Sequence, residues 1–264
     1  MIKFIVISFY LLSLVVIPCA KAERQESKII TLRADRWYPF NGDPWDDNPG
    51  YMIEIAKKVF EEAGYKIDYQ IIPWARAIED TRVGKHDAIV GASVGDAPDF
   101  IYPTEPLGIV LNSFFTRSDF EWTYKDPSSL TRYRLGCIEE YSYGKILDKY
   151  IAENIDNPNA LLMEGGYNPL ANNIHKLRLK QIDIVPSTPQ VFYAELEQMH
   201  LDRSLFRFAG STPDKDPIHI AFSPNVERSR KLATILAEGI KNLRSTGELK
   251  KILDRYKIED WRDQ

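Results

Sequence analysis

From residue 29 to residue 90 the hydrophobic pattern alternates between two periods, and this alternation restricts the fold more than any other feature of the chain. Residues 29–34 (Ile-Ile-Thr-Leu-Arg-Ala) form a short apolar run that reads as a strand. Met52, Ile53, Ile55, Ala56, Val59 and Phe60 then recur at helical spacing, and Gly64 supplies a stop. Residues 65–72 alternate as a strand. Pro73 opens a helix over 74–83 that Gly84 ends, and 87–90 is a short buried strand. Strands separated by helices need crossover connections. This order therefore predicts parallel pairing with helices on the sheet faces, an α/β fold.

The rhythm then pauses and resumes. Residues 91–106 are irregular, and 109–116 reads as a long strand leaving the first unit. A second series predicts strand 133–138, helix 142–151, strand 160–163, helix 169–179, strand 182–185, helix 189–199 and strand 205–209. A strand over 218–222 is the way back, and helical patterns over 226–245 and 247–256 close the chain.

Lys3, an apolar run over 4–17, Pro18 and the small residues Ala20 and Ala22 read as a secretory signal peptide, 1–22. The run is too short to cross a bilayer comfortably. Pro18 argues against lipidation at Cys19. The expectation is an exported, periplasmic, soluble chain. Cleavage removes Cys19 and leaves Cys137, so no intramolecular disulfide is expected. The 34 Lys and Arg face 38 Asp and Glu, a formal net charge of −4, which argues against nucleic acid as a partner. His86, His175, His200 and His219 lack metal-ligand spacing, and no phosphate-cradling glycine loop or nucleophile elbow occurs. No metal and no cofactor are expected. Cys137 sits in an apolar strand and reads as a buried, inert thiol.

Several segments, in order, carry a resemblance to a known family. These are Gly50-Tyr51-Met52-Ile53-Glu54-Ile55-Ala56, Gly84-Lys85-His86-Asp87-Ala88-Ile89, Gly136-Cys137-Ile138, Lys180-Gln181-Ile182-Asp183-Ile184, and the run from Leu243 to Tyr256. Together they resemble the family 3 extracellular solute-binding proteins, which typically serve amino-acid ABC importers. The resemblance implies a two-lobed periplasmic-binding-protein-like (type II) fold with two crossing hinge strands. Lobe one would be 23–107 with the return strand and C-terminal helices, 213–264. The hinge strand and lobe two would be 108–212. It also implies a monomer that takes a small-molecule ligand in the interlobe cleft and passes it to a membrane permease or receptor. Two other readings stay open: a cyclohexadienyl dehydratase-like enzyme with Asp96, Asp99 or Glu105 as its acid or base, and a ligand-sensing domain docking on a receptor.

The family's amino-acid receptors place an arginine after the third strand to grip the ligand α-carboxylate. The matching segment here, 91–100, contains Ser93, Asp96 and Asp99 but no Lys or Arg. Their lobe-two aspartate, which meets the α-ammonium, has no counterpart in Val185-Pro186-Ser187-Thr188. The usual clamp is therefore expected to be missing. Arg76 and Arg117 are candidate substitutes, and Ser187 and Thr188 are candidate polar contacts. The aromatic loop after the first strand offers Trp37, Tyr38, Phe40 and Trp45 as a stacking wall, with Trp74 as a lid. Half of that loop would pack beneath itself. Tyr141, Ser142 and Tyr143 open a helix whose free N–H groups would suit an anion; plain N-capping by Ser142 explains the residue equally well. Tyr167 reads as either a further wall or a surface turn residue.

Overall fold

A computed structural model describes residues 27–263, and the expected leader lies outside these. Strand β1 (Ile29–Ala34) lies between β2 (Lys66–Ile71) and β3 (Ala88–Ala92), parallel to both. Helices α1 (Tyr51–Glu62) and α2 (Trp74–Arg82) make the crossovers, as the alternating periods require. Strand β4 (Gly108–Arg117) leaves this unit for the second lobe. There β5 (Leu135–Ile138) pairs in parallel with β6 (Leu161–Glu164), and a parallel bridge from Leu135 to Ile184 joins β5 to the segment leading into β7 (Val185–Ser187). Helices α3 (Gly144–Asn154), α4 (Pro169–Arg178) and α5 (Pro189–Gln198) complete this lobe. Strand β8 (Phe206–Phe222) runs back, and α6 (Ser229–Ser245) and α7 (Glu248–Tyr256) close the first lobe.

The larger sheet has the order β2-β1-β3-β8-β4-β7. Its centre is the antiparallel pair β4 and β8, which runs from Gly108 opposite Ile218 to Arg117 opposite Phe206 with two register shifts between. These are the two crossing strands. The sequence pattern predicts two separate strands over 205–209 and 218–222, whereas β8 is continuous. The intervening stretch, with Pro213, Asp214 and Pro217, lacks alternation because much of it faces solvent, and β4 supplies the pairing that holds it extended. Other boundaries shift by one to three residues; β5 begins at Leu135 rather than 133, and α6 at Ser229 rather than 226. Helix α3 begins at Gly144 rather than 142, and β7 begins at Val185, where 182–185 is expected.

Packing explains the helical glycine of α6. A Cβ on Gly239 would stand 2.3 Å from Val59 Cγ1, so only glycine lets α6 approach α1 this closely. Asp87, in the Gly84–Ile89 segment, ties three elements. Its carboxylate accepts from Thr31 N (2.8 Å) and Thr31 Oγ1 (2.9 Å) on β1, and from Arg228 Nε (2.8 Å) and Nη2 (2.9 Å) at the start of α6. Both partners of this ion pair are largely buried. Removing the acid strands a guanidinium and two β1 donors. Asp87→Ala is therefore expected to cost about 3–5 kcal/mol, read from the urea midpoint at constant m. Lys58→Ala, which breaks an exposed i,i+4 pair, should cost less than about 1 kcal/mol.

Candidate functional site

The strand ends that face the other lobe define the cleft. Lobe one contributes Asp35, Arg36 and Trp37 beyond β1, Trp74 at the start of α2, and Gly91, Ser93 and Asp96 around the end of β3. Lobe two contributes Tyr141, Ser142 and Tyr143 before α3, Pro169 and Leu170 of α4, and Ser187 and Thr188 before α5. The crossing strands form the floor with Val110, Asn112, Asp216 and Ile218. This is where open α/β sheets place ligands, beyond the carboxyl ends of their strands. A bulge between Val90 and Ala92 turns the end of β3, and Gly91 sits there at φ 91°. A Cβ at Gly91 would meet the Trp37 ring at 3.2 Å, so glycine both permits the turn and lets the indole pack on the backbone.

Two lobe-one carboxylates reach across to lobe two. Asp35, 2 % exposed, accepts a short hydrogen bond from the Tyr141 hydroxyl. Asp96 accepts from Ser93 N (2.7 Å) and Oγ (2.6 Å) through Oδ2, and from Ser142 N (2.9 Å) through Oδ1. Burial pushes both carboxyl groups up to about 6, against the pull of those hydrogen bonds. Asp35 carries the fuller desolvation, since Asp96 keeps an edge in solvent. The charge of Asp96 adds to the rise at Asp35, and that of Asp148 to the rise at Asp96. Neither has a Lys or Arg ion pair among the described residues. Asp216 adds a third carboxylate, raised first by burial and then by Asp214 and Asp148, with Asn112 Nδ2 3.3 Å from its Oδ2. Trp74 completes the bridge, its Nε1 donating to Glu140 O (3.1 Å) and its ring edge-on to Tyr141 at 5.8 Å.

The start of α3 does not have the open N–H groups expected of it. Ser142 N donates to Asp96, Tyr143 N to Asp148 Oδ1 (2.6 Å) and Ile146 N to Asp214 Oδ2 (3.1 Å). Ser142 Oγ donates to Asp148 Oδ2 (2.6 Å), so it does not cap the helix either. The protein's own carboxylates take this helix end, because its partial positive charge attracts the nearest anion. The second helix of interest, α5, differs. Thr188 stands at its N-cap with extended backbone, yet makes no capping bond, and its buried Oγ1 has no partner. Arg36 lines the same cleft, and its buried Nε has no partner.

Of the residues singled out from sequence, Trp37, Trp74, Ser93, Asp96, Tyr141, Ser142, Tyr143, Ser187 and Thr188 line the cleft. Other candidates do not. Arg76 is exposed and pairs with Asp80 at 3.3 Å, the ordinary i,i+4 contact. Arg117 is held inside lobe two by Asp119 and by the carbonyls of Leu177 and Ile182. Tyr38 packs on Tyr256 at 6.0 Å, Trp45 is 93 % exposed, and Tyr167 is an exposed turn residue. Phe40 is buried beneath the loop, stacked on Trp37 at 4.2 Å. Asp99 is paired with Arg82, and Glu105 with Arg244 and Arg262. Sequence reading missed Asp35, Arg36 and Asp216. The first two directly follow β1, at a strand carboxyl end, and that position was the available signal. Burial drives the Cys137 thiol well above its ordinary range.

Comparison with solved structures returns the same fold at low sequence identity. A histidine kinase sensor domain with similarity to periplasmic binding proteins aligns with TM-score 0.71 and 19 % identity, covering 87 % of this chain and 96 % of that one. The amino-acid ABC transporter substrate-binding protein AbpA of Streptococcus pneumoniae, bound to L-arginine, gives 0.68 and 18 %, covering 87 % and 94 %. A protein from work on glutathione import through GshT and the cystine importer TcyBC of Streptococcus mutans gives 0.69 and 18 %, covering 90 % and 100 %. Comparison with curated protein sequences finds no match. The sequence profile of one family matches residues 29–259, nearly all of the described structure. The chain therefore belongs to the bacterial extracellular solute-binding proteins, family 3.

Proposed function

We propose that the protein captures a small solute bearing a cationic group in the interlobe cleft and hands it to an ABC-type importer from the periplasm. One observation carries this reading. Asp35, Asp96 and Asp216 converge on a cleft walled by Trp37, Trp74 and Tyr141, and no described Lys or Arg neutralises them as an ion pair. Buried carboxylates without a counter-charge are costly. An ammonium or guanidinium supplies that charge, and the aromatic faces add cation–π attraction. The similarity to a kinase sensor domain favours a second reading, in which the same closure signals to a membrane receptor. Ion pairing of Asp99 and Glu105 leaves Asp96 and the other cleft acids as the remaining support for a dehydratase-like enzyme. Release of water and carbon dioxide from prephenate or arogenate is the assay for that activity.

A thermal-shift panel of amines, guanidines, organic acids and α-amino acids tests the cation reading. A cationic solute at 100 times its Kd should stabilise by about 2.7 kcal/mol, roughly 5–10 °C for a chain of this size. A shift produced by organic acids and by no amine or guanidine would overturn it.

The two buried carboxyls also predict a pH dependence. Their folded pKa values exceed the unfolded ones, so the folded state binds their protons more tightly. The stability they contribute is fully present below about pH 4 and is lost as pH rises through about 6. Relative to Asp35→Asn/Asp96→Asn, the unliganded wild type should lose Tm steadily across that window. Affinity for a cation should move the other way and rise as the carboxyls ionise. Equal pH profiles for variant and wild type would show that these groups are not the titrating ones.

A further inference from the structure

We infer that the cleft holds a second, anionic pole of its ligand between Arg36 of lobe one and the start of α5 in lobe two. The solute is then amphoteric, with its two charges at opposite ends of the molecule rather than on one carbon. This rests on the cation reading of the cleft and extends it.

Two independent observations meet at this place. Arg36 lines the cleft with its Nε buried, and it makes no hydrogen bond or ion pair among the described residues. Glu195 on α5 and the Tyr69 hydroxyl lie within its field, but neither forms an ion pair with it. Across the cleft, Thr188 is 3 % exposed and its Oγ1 has no partner. It occupies the N-cap of a ten-residue helix without capping it, and Pro189 follows at the first helical position. A helix end of this kind presents N–H groups and partial positive charge to an anion. A guanidinium, a hydroxyl and a helix N-terminus together form a carboxylate receptor.

The contrast with α3 assigns the poles. Asp96, Asp148 and Asp214 already take the N–H groups at that helix end, so a ligand anion would meet three carboxylates there. The positive pole therefore belongs on the α3 side, with Asp35 and Asp96, and the negative pole on the α5 side.

Local geometry separates the two. Asp35 and Arg36 are consecutive residues just beyond β1, and they face different parts of lobe two. Asp35 meets Tyr141, just before α3, whereas Arg36 lies in the field of α5. On the lobe-two side, α3 follows β5 and α5 follows β7. The bond from Gly136 N to Ile184 O (2.9 Å) makes the segments leading to these helices neighbours in parallel. Adjacent strands are about 4.8 Å apart, so the starts of α3 and α5 leave the sheet from neighbouring, laterally offset positions. An α-amino acid, with both charges on one carbon, is less suited to poles offset in this way.

Isothermal titration of the protein with glycine, β-alanine, 4-aminobutanoate, 5-aminopentanoate, butylamine and butyrate provides the test. The expected result is tighter binding of 4-aminobutanoate or 5-aminopentanoate than of glycine, and about ten-fold or more over butylamine, the worth of one charged hydrogen-bonded contact. Arg36→Gln should collapse the preference for the amino acid over the amine, and Thr188→Val should narrow it. Both variants should keep the wild-type Tm to within a few degrees, since neither side chain has a partner to lose. Equal affinity for butylamine and 4-aminobutanoate, an Arg36→Gln variant with an unchanged preference, or glycine binding best would each overturn the anionic pole while leaving the cation reading intact. Binding of butyrate alone, or of no compound, would overturn the cation reading and this inference with it.

Discussion

The antiparallel pairing of β4 with β8 is the constraint on which the rest depends. It is the part of the larger sheet that passes from lobe to lobe, with β3 against one end of β8 and β7 against one end of β4. Register shifts between Leu111 and Ser113, and between Ser113 and Phe115, place irregularities in the middle of the crossing. There the pairing relies partly on side chains, with Ser113 Oγ and Ser211 Oγ 2.9 Å apart. A bulged ladder twists and bends more readily than a regular one. Small rotations at this point are amplified at the strand ends, where the cleft residues sit. Hinge closure is one of the established ways in which packed domains switch, and these irregularities lie where such a hinge would act.

What the lobes bring together on closing is electrostatically unfavourable by itself. Asp35, Asp96, Asp148, Asp214 and Asp216 lie near one another, and their mutual repulsion contributes to several of the raised pKa values. Interlobe hydrogen bonds from Tyr141 and Ser142 offset part of that repulsion, as does the positive end of α3. A bound cation would offset more. A ligand shifts a two-state equilibrium only by its differential affinity for the states. A charge that relieves repulsion in the closed form, and meets solvated carboxylates in the open form, has such a difference. On the proposed function, the carboxylates would serve recognition and closure together.

The fold was legible where burial imposes periodicity. The β-α-β-α-β opening, the crossing strand β4 and the terminal helices all leave apolar repeats, because one face of each must meet the core. β8 was legible only at its two ends, since the middle of a strand that lies partly in solvent and carries prolines leaves no alternation to read. In the cleft, aromatics and hydroxyls at helix starts could be picked out by type. Asp35 and Arg36 could not be told from two ordinary polar residues, because what distinguishes them arises in three dimensions: burial without an ion pair for Asp35, and a buried Nε without a partner for Arg36. The expectation of an open α3 terminus failed for a similar reason. Asp96, Asp148 and Asp214 are distant in sequence, and only the tertiary fold brings them to one helix end.

The missing arginine after β3 is therefore more than a deletion from a family pattern. A guanidinium in the 91–100 segment could face the start of α3, and a ligand anion could bridge the two. Here Asp96 of that segment accepts from Ser142 N at the start of α3, so the protein supplies an anion of its own there. Among the described cleft-lining residues, the buried side-chain atoms left without a partner are Arg36 Nε and Thr188 Oγ1. On the reading proposed above, an acid in place of a base at the end of β3 would redirect both poles of recognition, while the lobes and the sheet order stay as the core dictates. Specificity in this architecture resides in the few side chains at the strand ends. The fold beneath them is indifferent to which sign they carry.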